Sequence, residues 1–128
     1  AAAIGMGTGE VVVMSRSRER STEILKLADG LGIHVAWLPF ESEPPRCNLI
    51  VSTVPAGSLI RRAEDLAARA NAVFDVVYDP WPTPLAVAGK IAGATVIDGL
   101  DLLAGQAVGQ VQLMTGYPVP MDVLRSTA

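Results

Sequence analysis

The chain has 128 residues, half of them apolar, and a formal net charge of −3. That length suffices for one domain with a buried core, and that composition excludes a disordered chain. The slightly acidic balance argues against a general nucleic-acid binder, and no apolar run approaches the roughly 18 residues of a membrane span, so none is expected.

Residues 1–4 read as the last turn of a helix, with Gly5 as its C-cap. The chain opens without methionine, and a charged start followed by an apolar core is missing. No secretory signal is therefore expected, and the chain reads as part of a longer polypeptide. Glu10 to Met14 is predicted as a strand around Val11, Val12 and Val13. Ser17 is placed to cap a helix with an apolar stripe of Ile24, Leu27, Ala28 and Leu31, stopped by Gly30 and Gly32. Ile33 to Leu38 is a second strand, and Glu41 to Arg46, with its paired prolines, is a loop.

Leu49 to Thr53 is a third strand, closed by Pro55 and Gly57. Ser58 starts a helix with Ile60, Ala63, Ala67 and Ala70 inward, and with Arg61, Asp65 and Arg69 spaced to pair on its exposed face. Val73 to Tyr78 is a fourth strand. Thr83 caps the next helix, with Pro84 in the first turn, where a missing N–H costs nothing. Ala94 to Ile97 is a fifth strand. Asp98 caps a long helix to about Thr115, apolar almost all round and therefore expected to be buried. Pro118 and Pro120 lead into a short terminal helix.

Strands alternating with helices across short loops predict an α/β domain over residues 1–128, with a parallel sheet covered on both faces. The single cysteine, Cys47, cannot form an internal disulfide, and it and the single histidine, His34, are expected to pack in or near the core. The cysteine usage suits a reducing cytoplasm. No metal site is expected.

Gly5, Gly7 and Gly9 resemble a phosphate loop but follow a helix and precede a strand. The dinucleotide fingerprint needs the reverse order, so that helix N–H groups face the pyrophosphate. These glycines therefore read as a helix stop and a turn. The first strand ends Met14-Ser15-Arg16-Ser17-Arg18-Glu19-Arg20. In dinucleotide folds an acid at this tip binds the 2′-hydroxyl of NAD, and arginine accommodates the 2′-phosphate of NADP. Positive charge is unfavourable at a helix N-terminus, so three arginines there point to an anion. The same residues also suit a solvated helix start.

Two later segments place polar groups at the carboxyl ends of neighbouring strands, where open α/β sheets bind ligands. One holds Asp75, Tyr78, Pro80, Thr83, Pro84 and Leu85; the other holds Asp98, Gly99, Leu103, Gln106 and Ala107. Together with Ser15-Arg16-Ser17, Arg20 and Ser52-Thr53-Val54-Pro55, they resemble the C-terminal NADP-binding domain of the shikimate dehydrogenases over nearly the whole chain.

The resemblance implies a Rossmann-like doubly wound parallel sheet that lacks its first, central strand and its glycine-rich loop. It implies NADPH-dependent reduction of 3-dehydroshikimate to shikimate, in chorismate and aromatic amino-acid biosynthesis. Ser15, Arg16, Ser17, Arg18 and Arg20 would hold the adenosine 2′-phosphate, and Thr53 would lie along the cofactor. The backbone at Val76 and Gly99 would border the nicotinamide, and Tyr78 and Gln106 would hydrogen-bond the substrate. From the residues alone, Tyr78 also suits a core ring with its hydroxyl at the surface, and Gln106 a bond to a neighbouring loop.

The chain departs from the family pattern at Ser15 and Asp79, each in place of asparagine, and at Asp101 and Leu102 in place of Gly-Met. The family's catalytic lysine and aspartate match no position here. They would come from an N-terminal substrate domain or another chain, so the isolated chain is expected neither to oxidise shikimate nor to bind NADP tightly. Two other readings stand beside this one: a quinate or shikimate dehydrogenase using NAD, and a non-catalytic nucleotide-binding module on the same fold.

Overall fold

The computed structural model describes residues 7–126 and divides into two compact units, residues 1–43 and 44–128. The helix expected over residues 1–4, its cap at Gly5, and part of the glycine run lie outside the described residues.

The first unit is a strand–helix–strand motif. Strand β1 (Glu10–Ser15) pairs in parallel with β2 (His34–Pro39), in register from Glu10 opposite His34 to Ser15 opposite Pro39. Helix α1 (Arg18–Asp29) connects them. Its inward stripe differs from the expected one. Ser21 and Ala28 are buried and Leu25 is half-buried, whereas Ile24, Leu27 and Leu31 stay about half exposed. The helix is turned so that a small hydroxyl, rather than the larger aliphatic groups, meets the strand pair. The hydrogen bonds of Ser21 described below account for that choice. Gly32 adopts the left-handed conformation past the helix end, as the stop signal predicts.

The second unit carries a parallel sheet ordered β3 (Cys47–Ser52), β4 (Ala70–Asp75), β5 (Thr95–Ile97). A 3-10 turn (Ala56–Leu59) and α2 (Ala63–Ala67) join β3 to β4. Helix α3 (Pro84–Ala92) joins β4 to β5, and α4 (Gly99–Thr115) and α5 (Met121–Ser126) follow. The core gathers Leu59, Ala63, Leu66 and Ala67 with Val73 and the Leu85–Ala86 turn. Gly89 lets α3 sit close on the sheet, since a Cβ there would lie 2.6 Å from Val73 Cγ2. A doubly wound sheet of order 3-2-1-4-5-6 without its first strand leaves a pair and a triplet. The five strands among the described residues form such a pair and such a triplet.

Three local expectations change. The fourth strand runs from Ala70 to Asp75 rather than from Val73 to Tyr78. The Asp75 carboxylate accepts the Val77 N–H at 3.3 Å, a local turn that competes with the ladder and ends it. The single helix expected from Ser58 is broken between the 3-10 turn and α2. Ile60 there is exposed, Ala70 belongs to β4, and Asp65 pairs with Arg69 at 3.0 Å and Arg62 at 3.8 Å. Helix α4 is not buried all round: only Gly99 and Ala104 are, while Leu113 is 89% exposed. Its 17 residues span about 25 Å, against roughly 10 Å for the three-residue strand that precedes it, so its later turns outrun the sheet.

His34 also lies outside the core. It is exposed at the start of β2, with Nδ1 3.6 Å from Glu10 Oε1. Cys47 is half-buried, and burial raises its thiol pKa against a smaller lowering from the Leu49 backbone hydrogen bond.

Candidate functional site

In the first unit the tip of β1 is a built turn. Ser15 Oγ donates to the Ser17 carbonyl at 2.8 Å and accepts from Trp37 Nε1 at 2.9 Å. It also bonds Ser21 Oγ at 2.8 Å. A hydroxyl has one proton, so with Ser15 committed to Ser17, Ser21 is the donor in that pair. Ser15 is thereby saturated from within, and it holds the turn in place. Neither Trp37 nor Ser21 carries a sequence signal for this role beyond proximity to the motif.

Beyond that hub the turn is open. Arg16, Ser17, Glu19 and Arg20 border an open surface hollow at the start of α1. Ser17 is the N-cap in extended conformation, yet its side chain makes no capping hydrogen bond. The first-turn N–H groups of a helix lack intrahelical acceptors, and together with the helix dipole they favour an anion. Arg16, Arg18 and Arg20 are exposed and outnumber the one carboxylate in the turn, Glu19. Guanidinium groups can grip phosphate oxygens bidentately.

In the second unit the candidate residues lie at and beyond the carboxyl ends of β3, β4 and β5. Thr53 is exposed just past β3. Val76 follows β4, and its N–H donates to the Ser52 carbonyl at 3.1 Å. Gly99 opens α4 directly against this backbone. A Cβ at Gly99 would overlap the Val76 carbonyl oxygen and lie 2.8 Å from its carbon. Glycine is thus required by close packing of the helix start on the chain, a firmer reason than room for a cofactor ring. Val76 and Gly99 are brought together. Tyr78 lies in the loop two residues past Val76, 52% exposed. Gln106 is exposed on α4, about 10 Å along the axis from Gly99, so no unpaired buried amide arises there.

Polar residues that set this scaffold include some not singled out as site residues. Asp75 is 1% exposed, and its Oδ2 accepts from Thr83 Oγ1 at 2.8 Å. Thr83 Oγ1 in turn accepts from the Ala86 N–H at 3.1 Å, capping α3 as its sequence predicts. The Asp–Thr spacing of the motif therefore ties the end of β4 to the start of α3. Asp98 caps α4 through a reciprocal box with Asp101, and Arg125 reaches both carboxylates.

Among the described residues there is no group of three or more His, Cys, Asp or Glu side chains able to hold a metal ion. No described helix is long and apolar enough to cross a membrane.

No protein-family model matches the chain. The chain is 37% identical over 87 residues to the shikimate dehydrogenase (NADP(+)) of Methanocella arvoryzae, covering 63% of this chain and 32% of that protein. The structure of Mycobacterium tuberculosis shikimate dehydrogenase superposes with a TM-score of 0.85 at 33% identity, over 97% of this chain and 49% of that one. A shikimate 5-dehydrogenase from Mycobacterium fortuitum superposes with a TM-score of 0.88 at 33% identity, over 98% and 48%. The chain thus spans between about a third and half of the length of these relatives.

Proposed function

We propose that this homologue of the shikimate dehydrogenases is the cofactor-binding half of an NADP-dependent shikimate dehydrogenase, reducing 3-dehydroshikimate to shikimate in the cytoplasm. The observation that carries the reading is the start of α1. An uncapped helix end, an open surface hollow and three arginines stand where an NAD enzyme carries an acid.

NADPH, when bound, supplies the hydride for the substrate carbonyl. In the first unit, Arg16, Arg18 and Arg20 neutralise the adenosine 2′-phosphate. Ser17 would offer its hydroxyl, and the first-turn N–H groups of α1 would add donors. Ser15 serves the same phosphate through the turn it holds. In the second unit, Thr53 would lie along the cofactor, and the Val76 and Gly99 backbone would border the nicotinamide. Tyr78 and Gln106, both exposed, bind the hydroxyls or carboxylate of the substrate. A phenol and a carboxamide can each donate and accept, which suits a polyhydroxylated ring. The acid–base pair that moves the substrate proton lies outside these residues, in a substrate domain or a partner chain.

The test is turnover of shikimate with NADP by the full-length protein, then by its Gln106→Ala variant. We expect a KM for shikimate raised about tenfold, from the loss of hydrogen bonds worth about 1–1.5 kcal/mol, with NADP affinity unchanged. A variant with wild-type KM, or a parent protein that binds NADP but turns over no shikimate, would favour a non-catalytic nucleotide module instead. The 128-residue chain alone is expected to show no turnover.

A further inference from the structure

Helix α5 has six residues and buries none of them. A helix that short does not persist by itself in water. Arg125 ties it to the start of α4. Arg125 Nη2 donates to Asp98 Oδ2 at 2.6 Å, and Arg125 Nε forms an ion pair with Asp101 Oδ1 at 2.7 Å. The other two carboxylate oxygens close the capping box. Asp98 Oδ1 accepts the Asp101 N–H at 2.8 Å, and Asp101 Oδ2 accepts the Asp98 N–H at 3.2 Å. Three of the four oxygens therefore accept a hydrogen bond, and the fourth, Asp101 Oδ1, faces the guanidinium as an ion pair. Two carboxylates in one turn repel each other, and the forked cation lets both stay where the helix dipole favours them. Between them lies Gly99, packed without slack on the Val76 carbonyl.

We propose that Arg125 is a positioning residue, a forked lock that fixes the Asp98–Gly99 junction against the Val76–Val77 backbone. The functional side of this rests on the reading of the chain as half of a shikimate dehydrogenase, in which that backbone borders the nicotinamide. Asp101 is a position where the chain departs from the family pattern, so the lock is a feature of this chain's own residues. The fork is essential. Nε and Nη2 address different carboxylates, and a lysine ammonium offers a single point charge in place of that planar pair.

Two measurements test it. In the 128-residue chain, the Asp98 and Asp101 amides should exchange with solvent about tenfold faster in Arg125→Ala than in the parent. In the full-length enzyme, Arg125→Ala should lower kcat about tenfold, as expected for a small misplacement near the chemistry. Affinity for 2′,5′-ADP, which reports the first unit, should not change. Arg125→Lys should recover less than half of the loss. Asp101→Asn keeps the box acceptor but loses the ion pair; it should act in the same direction, more weakly, and add little to Arg125→Ala. Unchanged amide exchange in Arg125→Ala, full recovery by lysine, or wild-type kcat in Arg125→Ala would each overturn the lock. A parent enzyme without NADP-dependent turnover would instead sink the functional reading, while the exchange result would still decide the lock.

Discussion

The longest helix of the first unit and the two longest of the second begin in opposite ways. Helices α3 and α4 are closed by their own sequence: Thr83 caps one, Asp98 and Asp101 cap the other, and buried or packed groups fill the space around them. Helix α1 has a residue of the right type at its N-cap, but Ser17 makes no capping bond, and arginines surround it. A helix end satisfied from within is structural. An end left open beside concentrated positive charge is one that an external anion can complete.

The contrast can be broken first at the closed ends. Gly99→Ala should cost about 3 kcal/mol or more in denaturant-induced unfolding, because the new methyl overlaps backbone rather than a flexible side chain. A loss under about 1 kcal/mol would mean that the helix start has room to move. Thr83→Val keeps the shape but removes a cap and one of the donors to the buried Asp75. Urea denaturation should show a loss of about 1–3 kcal/mol. At the open end the same kind of change should do almost nothing. Ser17→Ala is expected to alter stability by less than about 0.5 kcal/mol, since no capping bond exists to lose. A cost near 1 kcal/mol would show that Ser17 does cap in solution.

Much of this was legible in the sequence, for reasons that differ by element. The order and type of the strands followed from short apolar runs between turn signals. The doubly wound order came from the family resemblance rather than from the pattern of the strands themselves. Thr83-Pro84 and Asp98-Gly99 announced their helix starts because capping is local chemistry. Burial was read less well. The apolar pattern of α4 predicted a buried helix, but its length against a three-residue strand left Leu113 and Met114 exposed. The stripe of α1 was misplaced because Ser21, a polar residue, takes the inward position by bonding Ser15. The end of β4 was set three residues late, because the Asp75 side chain turns the chain before the apolar run stops. Arg125 had no local pattern at all, since its partners lie 24 and 27 residues earlier in the chain.

At the candidate site, the arginines were visible because three positive charges at a helix start oppose the dipole and so call for an explanation. The hub that holds them was not, because Trp37 reaches Ser15 from the other strand, 22 residues away.

The central claim is that the open end of α1 takes the 2′-phosphate. The most direct measurement titrates the chain with 2′,5′-ADP and, separately, with adenosine 5′-monophosphate, following the backbone amides of Arg16, Ser17 and Arg18 by NMR. We predict saturable shifts with 2′,5′-ADP, none with the monophosphate, and their loss in Arg16→Ala without any loss of fold. Equal responses to both nucleotides, or no response to 2′,5′-ADP at millimolar concentration, would contradict it.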